Sequence, residues 1–148
     1  MRGGELEATW RPVAGWSLAA TLGVTDVRLR EFTDLFTKQS FAGKRAPYAP
    51  AYDAQVSAIW RGPSGWFAAG EVAATGKTFF EESENPLFAS PAHTIVNVHF
   101  GYDALRWRVS LFGENLGGES YAALIIPGVR HVAPGAPRTY GLEAVKKW

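Results

Sequence analysis

Apolar and polar positions alternate along this chain with a period of two. Leu6, Ala8 and Trp10 stand against Glu5, Glu7, Thr9 and Arg11, and the run ends at Pro12-Val13-Ala14-Gly15. Trp16, Leu18, Ala20, Leu22 and Val24 then alternate with Ser17, Ala19, Thr21, Gly23 and Thr25. Beyond Thr25 the phase slips, with Val27 and Leu29 apolar between Asp26, Arg28 and Arg30. That slip predicts either a bulge or a strand that continues past the point where one face must stay apolar. Similar runs follow from Tyr52 to Arg61, Trp66 to Thr75, Thr94 to Asp103, Trp107 to Leu116 and Pro137 to Trp148. Side chains alternate between faces along a strand, so each run carries an apolar stripe on one face and polar or small residues on the other. Ile59, Phe67 and Phe112 break the polar phase.

The connections follow a pattern of their own. Short turns near residues 11–15, 61–65 and 103–106 alternate with long loops near 30–49, 81–92 and 117–136. The Gly62-Pro63-Ser64-Gly65 segment is a strong turn signal. Aromatics bracket every short turn: Trp10 and Trp16, Trp60 and Trp66, Tyr102 and Trp107, with Trp148 at the same end. All seven lie in the apolar phase, which predicts an aromatic girdle along one rim. Indole and phenol rings favour the headgroup level of a membrane, where an apolar body and a polar tip are both satisfied. Outer-membrane barrels have short periplasmic turns and long outer loops, so the Trp rim is assigned to the periplasmic side.

The expected fold is all-β: an antiparallel transmembrane β-barrel, partial, with about seven strands of a larger barrel. Bacterial single-chain barrels have an even strand number of at least about eight, and an open edge in lipid leaves backbone groups unpaired. The chain is therefore expected to be a fragment that does not form a stable monomeric barrel by itself. A soluble β-sandwich or lipocalin-like barrel alternates in the same way, with the stripe turned inward, and periodicity alone does not separate the two.

Near the end, Asn115-Leu116 followed by Glu119-Ser120-Tyr121 resembles the Asn-Leu-x-Asp-x-x-Tyr pattern of TonB-dependent outer-membrane receptors, with the acidic residue one place later. Gly135-Ala136-Pro137-Arg138-Thr139-Tyr140-Gly141 resembles the Gly-x-Pro-Arg segment that opens their last strand. The closing aromatic, Trp148, fits as well, although the family more often ends in Phe. Lys146 stands where that family usually has an apolar or aromatic residue. The resemblance implies a larger barrel with a plug domain upstream and residues 1–148 as the C-terminal part of the barrel. It implies a protein of the Gram-negative outer membrane that takes up a ferric siderophore or similar scarce ligand. The implied partners are outer-membrane lipid and lipopolysaccharide, the TonB system acting through the plug, and the outer-membrane assembly machinery reading the C-terminal strand.

Composition narrows the chemistry. The 148 residues hold no cysteine, which excludes disulfides and thiolate chemistry, and a net charge of +1 gives no reason for a nucleic-acid partner. No run of apolar residues is long enough for a membrane-spanning helix, a test that barrels escape. His93, His99 and His131 have no second ligand at metal spacing. Glu81, Glu82 and Glu84 read as a solvated acidic loop. Glu5, Glu7, Glu71, Glu114 and Glu143 fall on the polar face without any nucleophile arrangement, and pairing with Arg11, Arg61 and Arg108 or with a plug is expected. The expectation is a non-enzyme with no cofactor. Candidate ligand contacts are the outer-loop residues Lys38, Lys44, Arg45, Tyr48, Phe88, Tyr121 and Arg130, whose cationic and aromatic groups suit an anionic or aromatic chelate. A passive porin or adhesin barrel and a soluble ligand-binding β-barrel are the alternatives.

Overall fold

A computed structural model describes residues 1–129 and 131–148. Seven strands form one antiparallel sheet in the order β1-β2-β3-β4-β7-β8-β11. They are β1 (Arg2–Trp10), β2 (Trp16–Asp26), β3 (Tyr52–Arg61), β4 (Trp66–Thr75), β7 (His93–Asp103), β8 (Trp107–Glu114) and β11 (Thr139–Lys146). Each strand pairs with the next one in the chain that belongs to this sheet, so the topology is a plain meander. The sheet is open. Strands β1 and β11 each have one edge without a neighbour.

Register rows explain how the alternation becomes two faces. One row runs Trp16, Trp60, Ala68, Phe100, Leu111 and Leu142 across β2, β3, β4, β7, β8 and β11. The neighbouring row of opposite phase runs Ser17, Ile59, Ala69, His99, Phe112 and Gly141. A one-residue slip in any pairing would put indoles among carboxylates, so the apolar stripes fix the register wherever one face is dry.

The apolar face covers no core. The buried hydrophobic residues among those described are Phe41, Phe80 and Ile125, all outside the seven-stranded sheet. Trp16, Val56, Val98 and Leu142 are 42%, 58%, 41% and 66% exposed. Soluble barrels and sandwiches place such residues in a packed interior, and this sheet does not. A continuous exposed apolar face of this extent requires an apolar environment.

The aromatics that bracket the short turns gather at one end of the strands. Trp16 pairs with Trp60 and Trp66 with Tyr102 across the ladder, while Trp107 pairs with Lys146. Trp10 ends β1, and Trp148 lies just past β11. Trp66 stacks on Phe100 and meets Tyr102 edge-on, with ring centroids 5.2 Å apart in each case. The turns beneath them are tied across the sheet: Arg61 N donates to Gly15 O and Asp103 N to Gly65 O, each at 2.8 Å. Gly15 and Gly65 sit at φ of 83° and 94°, and a Cβ on either would press on the oxygen of Arg61 or Asp103. Both positions therefore need glycine for backbone conformation and for space.

The aromatics in the polar phase also find places. The Phe67 ring fills the notch at Gly101, under the Arg108 guanidinium at 5.6 Å. The Phe112 ring lies over Gly141 and stacks with His99 at 5.9 Å. Aromatic-over-glycine packing keeps the strand intact where a side chain is missing. Among the described residues, the polar-face glutamates do not pair with Arg11, Arg61 or Arg108. Glu71 accepts from Gln55 and Asn97, and Ser110 donates to Glu143. Arg108 pairs instead with Asp103 at 2.7 Å, because Asp103 and Arg108 are register partners at the end of the hairpin.

Two neighbouring positions of β3 provide a test of the faces. Val56→Arg, in mid-strand on the apolar face, is expected to destabilise the membrane form by about 2–4 kcal/mol, and Gln55→Arg, on the polar face, by much less. Folded fraction against denaturant in lipid vesicles measures this, and equal losses would refute the face assignment.

Candidate functional site

The ends of the strands opposite the Trp rim carry the long connections, and these fold onto one another. The first continues the β2–β3 hairpin past the sheet. Ala46 N donates to Val27 O and Leu29 N to Lys44 O, each at 2.9 Å, and Phe41 N donates to Phe32 O at 2.8 Å. The phase slip after Thr25 is thus a strand-like continuation beyond the sheet, with Arg28 and Arg45 bridging. Its tip is a turn held by Asp34, whose Oδ1 accepts from Phe36 N at 2.8 Å and Thr37 N at 2.6 Å. Those amides, Thr37 first, hold the Asp34 carboxyl below its usual range. Lys38 stands at this tip with φ of 59°. Leu35 and Phe36 beside it are 79% and 95% exposed.

Four of the candidate residues come together between the first and second connections. The second contains the small ribbon β5 (Thr78–Phe79) with β6 (Ala89–Ser90) and a 3-10 turn at Pro86–Phe88, capped by Asn85. The Lys44 ammonium binds Ser83 O, and Arg45 N donates to Glu84 Oε1 at 2.8 Å. The Arg45 guanidinium also reaches Asp26 at 3.5 Å. Tyr48 N donates to Phe79 O at 2.8 Å, while its ring meets Phe80 edge-on at 5.6 Å. Phe88 joins them through its carbonyl, which accepts from Phe80 N at 2.8 Å. Part of the acidic loop is therefore structural, with Glu84 anchoring the first connection rather than simply meeting water. Tyr48 remains 57% exposed and sits at φ of 62°, an uncommon conformation for an aromatic residue.

The third connection has a different organiser. Asn115 ends β8 at φ of 48° and is 2% exposed. Its side-chain amide donates to Glu119 O at 2.8 Å and Ala136 O at 2.9 Å, and its Oδ1 accepts from Glu119 N at 2.9 Å. Its backbone N donates to Asn97 Oδ1 at 3.0 Å. One buried amide thus ties both ends of the loop to the sheet. Tyr121 stacks on His93 with centroids 4.1 Å apart, and Gly135 packs so closely on that ring that no side chain fits there. Gly118, at φ of 67°, packs against the Arg138 guanidinium in the same way. The Asn-Leu, Tyr and Gly-x-Pro-Arg motifs are one interlocked cluster, and Tyr121 is a packing residue within it. The loop also holds a ribbon of β9 (Ala122–Ile126) and β10 (His131–Pro134), where the sequence reading placed only loop. Its signal was the short apolar run Ala122 to Ile126 before Pro127-Gly128. Arg130 lies outside the described residues.

Sequence reasoning missed Asn97, Ser90 and Phe80. Ser90, 2% exposed, accepts from Ala122 N at 3.3 Å and so joins the second loop to the third. None of the three stands out by residue type, because their roles come from register and loop folding. Among the described residues, no group of three or more His, Cys, Asp or Glu side chains is placed to hold a metal ion.

Two outcomes follow. Asn115→Leu removes the partner of three backbone groups of Glu119 and Ala136 and leaves the loop untied, so cleavage between residues 117 and 137 under limited proteolysis should rise sharply while the sheet stays resistant. The Asp34 turn is fully braced above the ordinary carboxylate pKa and loses that bracing as pH falls through the lower, folded value. Protection of the Phe36 and Thr37 amides, taken as exchange relative to an unstructured amide at the same pH, should therefore hold down to about pH 4 and fall below it, whereas Asp34→Ala should lack it throughout.

Residues 1–116 match the family described as "TonB dependent receptor-like, beta-barrel". The ferric yersiniabactin uptake receptor of Yersinia pestis aligns over 97% of this chain at 25% identity with a TM-score of 0.75. A siderophore receptor of Acinetobacter baumannii aligns over 97% at 14% identity with a TM-score of 0.80. The ferric preacinetobactin receptor of that organism aligns over 96% at 21% identity with a TM-score of 0.69. The chain spans only 23%, 21% and 21% of these three receptors' own lengths. With residues 1–116 matched by that family, this chain belongs to the TonB-dependent receptor β-barrel family.

Proposed function

We propose that this chain forms the C-terminal part of the barrel wall of an outer-membrane receptor in a Gram-negative bacterium. The receptor takes up a ferric siderophore or similar scarce ligand, driven by TonB through a plug domain elsewhere in the protein. The observation that supports this best is the polarity of the sheet along its strands. An aromatic rim with short turns lies at one end, a mutually braced set of loops at the other, and an exposed apolar face between. The alignment with solved siderophore receptors over nearly the whole chain adds to it.

In this reading the wall is passive and the loops touch ligand. Tyr48 is the first candidate, since an exposed ring held at positive φ is backbone strain maintained by its surroundings. Lys38, Phe88 and Arg130 are the further candidates by residue type. Lys44 and Arg45 serve first to lock the two loops, and Tyr121 to lock the third. The barrel contributes no catalysis.

Uptake of a panel of labelled ferric chelates into cells with and without the receptor tests the reading. Accumulation of one chelate should depend on both the receptor and TonB. Tyr48→Ala should weaken its binding about tenfold, equivalent to about 1.4 kcal/mol. Accumulation that persists without TonB would instead support a passive pore.

A further inference from the structure

We propose that the rim end of β11 is a binding site for the phosphate of an anionic glycerophospholipid in the inner leaflet of the outer membrane. Lys146 carries the site. It lies in the apolar phase of β11, where Tyr140, Leu142 and Ala144 precede it, and every other charged residue in that phase of the seven-stranded sheet lies at the loop end, at Arg2 and Asp26. Its ammonium sits 4.2 Å from the Trp148 ring centroid and 6.0 Å from that of Trp107, its partner across the ladder. The charge is thus held between two indoles at the level where indoles mark the headgroups.

A second cation stands beside it. Arg106 is exposed in the β7–β8 turn, and its carbonyl accepts from Lys147 N at 2.8 Å, which fixes the turn against the end of β11. Leu105, Arg106, Lys146, Lys147 and Trp148 line one shallow concavity there. The turns at this rim carry one side-chain carboxylate, Asp103, and it is occupied on the polar face by Arg108 at 2.7 Å and by the Lys147 ammonium. Lys146 and Arg106 therefore line one concavity, and the one side-chain carboxylate of these turns is already engaged. The aliphatic stem of Lys146 and the exposed Leu105 suit the glycerol and upper acyl region. The short-turn rim places the site in the inner leaflet, which selects a glycerophospholipid over lipopolysaccharide.

This rests on the apolar face lying in lipid, and one experiment separates the two ideas. The protein is extracted from outer membranes in detergent, delipidated and titrated with phosphatidylglycerol or phosphatidylcholine, with bound lipid counted by native mass spectrometry. Failure to find it in the membrane fraction overturns the membrane reading, and the site with it. Phosphatidylglycerol is expected to bind about tenfold tighter than phosphatidylcholine. Lys146→Ala with Arg106→Ala should remove that preference. Arg11→Ala, at the far end of the same rim, should leave it intact. Should the double variant not reach the membrane, Lys146→Gln alone carries the comparison. Equal binding of both lipids by the native protein, an unchanged preference in the variants, or an equal loss with Arg11→Ala would overturn the site.

Discussion

Backbone hydrogen bonding in a place without water governs this molecule. Strands β1 to β4 and β7 meet in continuous antiparallel register from the Trp rim to the loop end, while the β7–β8 ladder runs only to Val98 and Gly113 and is prolonged by the bonds from Asn115 N to Asn97 Oδ1 and from Leu116 N to Val96 O. In hydrocarbon an unpaired amide or carbonyl costs several kcal/mol, so the ladder has to be complete wherever lipid reaches. Other features follow from that demand. The meander keeps neighbours adjacent, the glycines in the short turns let the backbone reverse without loosening the ladder, and Phe67 and Phe112 seal the notches left by Gly101 and Gly141. The same demand makes the outer edges of β1 and β11 the two places where this sheet has to be continued by other strands.

The two ends of the sheet answer different solvents. At the rim, Trp and Tyr side chains cluster with the ammonium of Lys146. At the other end, stability comes from polar and aromatic contacts between loops rather than from a core. Phe41 and Phe80 are small buried anchors, and Glu84, Ser83 and Ser90 provide hydrogen bonds that join one loop to the next. Loops braced in this way can hold exposed groups such as Tyr48 in a defined position.

The polar face links these ends. Glu71 accepts from Gln55 and Asn97, and Asn97 accepts from the backbone of Asn115, so the middle of the wall is hydrogen-bonded to the residue that organises the third loop. The family motif residues near the C-terminal end are the solution to this packing problem. Asn115 spans the loop, Tyr121 stacks on His93, and Arg138 backs Gly118. Their spacing in sequence reflects the distance that one buried amide and one ring must cover.

The amino-acid sequence by itself determined the strands, their order of pairing, the apolar stripe and the aromatic rim. These depend on a period-two pattern and on turn residues, which act locally. The sequence also carried the phase slip after Thr25, though not the choice between a bulge and a continuing hairpin. Tertiary structure alone decided which candidate residues meet, since Lys44, Arg45, Tyr48 and Phe88 are brought together by loops separated by two membrane-length strands. It turned Tyr121 from a surface aromatic into a packing residue, moved the Arg108 pairing to Asp103 and gave Asn97 and Ser90 their partners. It also decided that the apolar stripe encloses no core, because a period of two states which residues share a face but not what that face touches.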